Sequence, residues 1–122
     1  MPMTACGDSD LQRRKKLVKT TVHAGVCGFV TTIHADSPDA QNVEFKIESD
    51  CKTIQDLGGG LGVVDAYAEI GDGFSGKVHE AIRSHLKGCC SGCAVPVGIF
   101  KSMQVAACLA LPAPVSIEIE KE

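Results

Sequence analysis

The sequence has few aromatic residues and no excess of positive charge. It contains no tryptophan, one tyrosine and four phenylalanines, and its formal net charge is -3. Proteins that bind nucleic acids usually combine a basic face with aromatic side chains that stack on bases. The composition therefore argues against a nucleic-acid partner, and the one basic cluster, residues 13–16, is interpreted as a solvated segment.

Long apolar runs are also missing from the chain. No run of about 18 apolar residues is present to span a bilayer, and the N-terminus lacks the apolar stretch of a secretory signal. We therefore expect no membrane partner and a cytoplasmic location.

The sequence offers little to support catalysis. The glycine run 58–62 lacks the lysine and hydroxyl residues of a phosphate-binding P-loop, so it is interpreted as the end of a helix. No Ser-His-Asp order is visible, and a nucleophilic cysteine would need a neighbouring base that the sequence does not identify. An enzymatic function is therefore the least favoured of the alternatives.

The length and the hydrophobic content are those of one small domain. With 122 residues and 44% hydrophobic content, the chain can bury a core without disulfide bonds. Residues 1–16 are polar and small, which predicts a flexible N-terminal leader. Residues 17–122 are predicted to form a single cysteine-rich α+β domain.

Periodicity predicts strands first and helices afterwards. Residues 17–23 and 29–35 are rich in Val, Thr and Ile around a short break, which indicates a hairpin with Cys27 at its tip. Residues 42–49 alternate apolar and charged side chains, so one face of this strand should be wet. Residues 115–120 alternate in the same way and predict a final strand.

Three helical segments are expected between the third strand and the last one. Asp50 is a candidate N-cap for a helix that Cys51 opens and that the glycines from Gly58 end. Residues 63–70 fit a short helix or a strand. Apart from this ambiguous segment, Ser75 can cap the second helix, through Leu86, and the third, a long helix starting near Pro96, should run to about residue 110. The order β-β-β-α-α-α-β predicts an antiparallel sheet of about four strands with helices on one face.

The seven cysteines are the most informative feature of the sequence. In a reducing compartment an odd set of this size favours metal binding or thiol chemistry over a disulfide framework. Cys90 and Cys93 form a Cys-x-x-Cys pair, whose turn can point two sulfurs at one metal. Cys27 at a hairpin tip and Cys51 at a helix start could join them. Cys108, inside an apolar helix, is interpreted as a core residue.

Two alternatives for the ligands stay open. Cys89 forms a Cys-x-x-x-Cys pair with Cys93 and could take the place of Cys90. His85 stands four residues before Cys89 near a helix end, and it could replace a cysteine as ligand, although a helix residue favoured by the dipole is the simpler interpretation. The predicted metal ligands are therefore Cys27, Cys51, Cys90 and Cys93, with Cys89 and His85 as alternates.

The same residues carry a resemblance to a known family. Val26-Cys27, the strand that begins Asn42-Val43-Glu44-Phe45 and leads to Cys51, and Ser91-Gly92-Cys93-Ala94 before a helix resemble the TSCPD domain, which has Thr-Ser-Cys-Pro at the last motif. The similarity extends from about residue 22 to residue 105. It is closest to small four-cysteine relatives with a presumed zinc site. The resemblance implies that Cys27, Cys51, Cys93 and either Cys89 or Cys90 are the ligands.

The leading hypothesis is a small metal-binding protein with a four-cysteine site, in which zinc has a structural role. A closed tetrahedral site leaves no position for a substrate, which favours a structural or electron-carrying role over hydrolysis. The alternative is an iron–sulfur protein, or a thiol carrier in which the pair Cys89-Cys90 or the pair Cys90/Cys93 cycles between dithiol and disulfide or persulfide.

Overall fold

A computed structural model describes residues 17–122 of the chain. Residues 1–16, and with them the predicted leader, lie outside the described residues. Four strands, β1 (Val18–His23), β2 (Val30–Asp36), β3 (Asn42–Ser49) and β4 (Val63–Asp65), form one antiparallel sheet in the order β1-β2-β3-β4. The four helices are α1 (Lys52–Gly59), α2 (Ala66–Asp72), α3 (Lys77–His85) and α4 (Val95–Ala106), with short 3₁₀ turns at Gly73–Ser75 and Gly88–Gly92.

The predicted fold class is confirmed, but the fourth strand comes from a different part of the chain. The mixed α+β fold has an antiparallel four-stranded sheet, as expected. Its last strand is Val63–Asp65, which pairs with the start of β3. Residues 111–122 form no helix or strand, so the predicted final strand at 115–120 is wrong. An alternating pattern determines which side chains would share a face of a strand. It does not determine whether the segment pairs with the edge of a sheet.

Helices α1 and α4 cover one face of the sheet. The strand register places Ile33 opposite Ile47, so both side chains lie on the same face. A Cβ on Gly58 of α1 would lie 2.8 Å from Ile47 Cβ, and a Cβ on Gly98 of α4 would lie 3.3 Å from Ile33 Cδ1. These glycines allow both helices to approach the sheet closely, and the core lies between the two layers. The fully buried side chains include Ile33, Val43, Ile54, Leu57, Val64, Val78, Val95, Ile99 and Met103.

The opposite face of the sheet, here called the wet face, is exposed to solvent, as the alternation of β3 predicts. Its central strand exposes Glu44, Lys46 and Glu48, whereas Val43 and Ile47 are buried. No helix among residues 17–122 combines the length and apolar character needed to cross a membrane.

The start of α3 is capped by a residue of the preceding helix. The carboxylate of Glu69 is buried and accepts hydrogen bonds from the backbone N–H groups of Lys77 (3.1 Å) and Val78 (2.8 Å). The predicted cap, Ser75, lies in a 3₁₀ turn instead, and Gly76 occupies the N-cap position. A Cβ at Gly76 would lie 2.6 Å from Glu69 Oε1, so glycine leaves the space that the capping carboxylate fills.

Candidate metal site

Cys27 lies in the hairpin turn between β1 and β2, as the sequence predicts. The Gly28 N–H donates to the Gly25 carbonyl over 2.9 Å, and both glycines have positive φ angles of 74° and 89°. Positive φ is costly for other residues, so the two glycines define a tight turn around position 27. The Cys27 thiol is free and exposed.

Cys51 lies between β3 and α1 and occupies the N-cap position itself. Its backbone is extended, with φ -90° and ψ 119°, so the helix begins one residue later and the predicted N-cap Asp50 is wrong. The side chain makes no capping hydrogen bond. The thiol is half-buried against the core and is not used to hold the helix start.

A serine–threonine pair that sequence reasoning missed supports the backbone at Cys51. The Cys51 N–H donates to Ser49 Oγ over 3.0 Å, and Ser49 Oγ lies 2.8 Å from Thr31 Oγ1 on the neighbouring strand. A serine two residues before a cysteine that follows a strand is a local signal for such a turn. The contact with Thr31 depends on the register between β2 and β3, which the sequence alone does not determine.

Cys90 and Cys93 are joined by one tight turn. The Cys93 N–H donates to the Cys90 carbonyl over 3.1 Å, at the end of the 3₁₀ segment Gly88–Gly92. The Val95 N–H donates to Cys93 Sγ over 3.4 Å, at the start of α4. Backbone N–H groups directed at sulfur stabilise the thiolate form that metals bind. Cys90 is exposed and Cys93 is half-buried.

The topology places these segments at the same end of the sheet. Thr31 pairs with Ser49, so the β1–β2 turn and the end of β3 are neighbours. On α4, a Cβ at Gly98 would meet Val22 at the turn end of β1, whereas Ser102 Oγ hydrogen-bonds Thr20 Oγ1 further from the turn. Helix α4 therefore begins at the turn end of the sheet. We call this end, with Cys27, Cys51, Cys90 and Cys93, the cysteine end.

The electrostatics of Cys93 reflect these neighbours. Burial raises the pKa of the Cys93 thiol, the Val95 N–H opposes that shift, and like-charge repulsion from Cys27, Cys51 and Cys90 raises the pKa further. Because repulsion between charges weakens with separation, all three thiols lie close enough to act on Cys93. Among the side chains that the structure describes, however, no three His, Cys, Asp or Glu residues are close enough together to hold a metal ion. The thiols share one end of the sheet without a coordinating arrangement.

The alternate ligand His85 is the last residue of α3. Its Nδ1 lies 2.9 Å from the Ala81 carbonyl oxygen. A carbonyl can only accept, so Nδ1 carries the hydrogen, and in the neutral ring the lone pair is on Nε2. The ring is half-buried near the C-terminus of the helix, where a cation is favoured by the helix dipole. This hydrogen bond within the helix gives His85 a role in α3 itself. Only Nε2 is left as a nitrogen that could bind a metal.

Cys108 differs from its predicted role as a core residue inside a helix. Helix α4 ends at Ala106, and Cys108 follows with a positive φ of 66°. The residue is half-buried and takes part in a disulfide bond. The helix ends at Ala106, before Pro112, and so earlier than the predicted end near residue 110. Nothing in the composition indicates this earlier end.

Comparison with known proteins gives one match. No curated protein and no solved structure matches the chain. A family model does match, over residues 18–119, and it spans all four strands, the four helices and the cysteine end. The chain therefore belongs to that family, which is described as a family of unknown function (DUF6951).

Proposed function

We propose that the protein is a small metal-binding protein in which Cys27, Cys51, Cys90 and Cys93 hold one structural zinc ion. The observation that carries the proposal is topological: a hairpin turn, a helix N-cap and a Cys-x-x-Cys turn, remote in sequence, meet at one end of the sheet. A zinc ion there would join the hairpin to α1 and α4. The resemblance to four-cysteine relatives of the TSCPD domain supports Cys27, Cys51 and Cys93 as ligands, together with either Cys89 or Cys90.

The donor set suits zinc chemically. Four thiols match the tetrahedral all-sulfur coordination of structural zinc sites. Burial and mutual repulsion disfavour the thiolate of Cys93 in the metal-free chain. A divalent cation would reverse both effects, because it attracts each thiolate and deprotonates coordinating thiols. The exposed thiols of Cys27 and Cys90 would have to rotate toward the half-buried Cys51 and Cys93 to complete the site.

Metal uptake by anaerobically prepared full-length protein tests the proposal. After reconstitution with zinc and with iron in turn, elemental analysis should give about one zinc per chain, and the protein should be colourless. A visible thiolate-to-iron absorption band with stoichiometric iron would favour an iron–sulfur site instead. Failure to take up either metal in stoichiometric amounts would contradict the proposal.

Neighbouring cysteines provide a matched control. Cys90 forms the hydrogen-bonded turn to Cys93, so Cys90→Ser should lose most of the bound zinc. Cys89→Ser changes the adjacent residue in the same way and should retain it. The reverse pattern would assign the ligand to Cys89, and zinc retention in both variants would mean either that each cysteine can substitute for the other or that neither binds.

A thiol or persulfide carrier is the second candidate, and the disulfide at Cys108 is the observation that favours it. Such a carrier cycles between dithiol and disulfide forms, so its thiol count should rise on mild reduction while its metal content stays low. Titration of thiols before and after reduction, alongside the zinc measurement, distinguishes the two candidates.

The cytoplasm is the location that suits the proposed site. Cys27, Cys51, Cys90 and Cys93 must stay reduced to bind zinc, and free thiols persist in reducing compartments, although Cys108 takes part in a disulfide bond. Thiol labelling of the protein in freshly lysed cells should modify these residues after chelation. Labelling that finds them oxidised in the cell would contradict this location.

A further inference from the structure

Strand β1 leaves one edge of the sheet open. It pairs with β2 on one side only, and within the described part of the chain no strand pairs with its other side. The six residues of β1 therefore present a row of backbone groups that can accept another strand. The opposite edge, β4, is only three residues long.

The C-terminal segment has the pattern of the strand that this edge lacks. Val115, Ile117 and Ile119 alternate with Ser116, Glu118 and Glu120. In the single chain these three apolar side chains are 55%, 68% and 90% exposed. The family match extends to residue 119, so most of this segment belongs to the family's shared domain.

A groove along β1 provides space for a strand. It has a volume of about 730 Å³ and is lined by the whole of β1, by one side of α4, and by residues 112–117. Within residues 17–122, however, no backbone hydrogen bond joins residues 110–122 to β1. The segment lies at the groove without completing the sheet.

The charges on the two elements are complementary. Lys19 is exposed on the wet face of β1, whereas Val18 and Val22 are half-buried beneath α4. A strand that placed its valine and isoleucines on the α4 side would place its glutamates on the wet face. Opposite charges on neighbouring strands stabilise a sheet.

We propose that residues 115–120 of one copy pair with the open edge of β1 in a second copy, and that the exchange is reciprocal. Pro112 and Pro114 precede the segment, and each proline ring fixes φ near -65°, which stiffens the connection. In the single chain this connection leaves the segment unpaired beside its own β1. A second copy with the same edge and the same segment pairs both edges and covers both apolar rows in one symmetric dimer.

Solution mass and charge reversal test the dimer. The full chain should sediment as a dimer at high concentration and dissociate on dilution. Glu118→Lys combined with Glu120→Lys should raise the dissociation constant by about tenfold or more, since attraction to Lys19 becomes repulsion. Lys19→Glu added to that pair should restore much of the lost affinity. Glu44→Lys combined with Asp56→Lys makes the same change in net charge at exposed sites away from β1, and should leave the dimer intact.

Three results would overturn the proposal. One is a monomer at every concentration measured. Another is a dimer that is insensitive to the charge reversals at 118 and 120. The third is a monomer whose amide hydrogens at 115–120 are protected from exchange, since that would show the segment pairing with β1 of its own chain. The cysteines take no part in this contact, so zinc binding and dimer formation can fail separately.

Discussion

The two ends of the sheet are stabilised in opposite ways. At the end where β2 leads into β3, Asp39 accepts hydrogen bonds from the backbone N–H groups of Gln41 and Asn42 and from Asn42 Nδ2. Asp65 accepts from Gln41 Nε2 and from the first N–H groups of α2. We call this the aspartate end. Its two carboxylates accept hydrogen bonds from backbone and side-chain groups of the same chain.

The pKa shifts of the two ends have opposite directions. Hydrogen bonds, with that from the Asn42 side chain as the largest contribution, lower the pKa of Asp39 to about 2. The Gln41 side chain likewise lowers the pKa of Asp65. At the cysteine end, burial and neighbouring thiols raise the pKa of Cys93. The aspartate end favours the charged form of its two carboxyl groups, whereas at the cysteine end the charged form of Cys93 is disfavoured.

The largest expected effect is removal of metal from the cysteine end. A strong chelator should lower the melting temperature of the zinc-loaded chain without abolishing the fold, because the core between sheet and helices consists of apolar side chains. A ligand present at about 1,000 times its Kd stabilises a protein by about 4 kcal/mol. Thermal melts followed by circular dichroism measure the shift. Cys51→Ser is the control, since its melt should be insensitive to the chelator.

A smaller effect is expected in the core that joins the two ends. Gly58→Ala should destabilise the protein by about 1 to 3 kcal/mol, since the new Cβ would lie 2.8 Å from Ile47 Cβ. Gly59→Ala, in the same helix with open space around it, should stabilise by about 0.5 to 1 kcal/mol. Urea unfolding of both variants tests the contrast. Equal effects would mean that α1 does not approach β3 as closely as described.

The smallest effects are the pH dependences of the metal-free chain. Asp39 has a lowered pKa, so its contribution is complete above the unfolded value near 3.9 and is lost as pH falls toward 2. Cys93 has a raised pKa, so its contribution is present below the pKa of the unfolded thiol and is lost as pH rises through the raised pKa of the folded state. Asp39→Asn should reduce the pH dependence of the free energy of unfolding on the acid side. Cys93→Ser should reduce it on the alkaline side. Unchanged slopes would contradict the comparison between the ends.

The sequence was sufficient where a local pattern determines the outcome. The alternation at 42–49 predicts β3 and its wet face, and the hairpin around Cys27 follows from glycine and β-branched residues. Interaction partners that come from another element were not predictable. The cap of α3 comes from Glu69, and residues 115–120 alternate as clearly as β3 yet remain unpaired. Local patterns do not identify the element that supplies the partner.

The candidate site shows the same limit. The Cys-x-x-Cys turn and the helix start near Cys51 were visible in the sequence. The arrangement of their segments at one sheet end depends on the pairing of Thr31 with Ser49 and on the direction of α4, which only the structure provides. Cys108 was misassigned because its disulfide and its left-handed backbone have no signal in local hydrophobicity.

X-ray absorption at the zinc edge of the reconstituted full-length protein tests the central claim most directly. Four thiolate ligands predict a single shell of four sulfur atoms at about 2.3 Å from the metal. Replacement of Cys90 by serine should leave about three sulfurs in whatever zinc remains bound. A shell dominated by nitrogen or oxygen at about 2.0 to 2.1 Å in the wild-type protein would contradict the four-cysteine site.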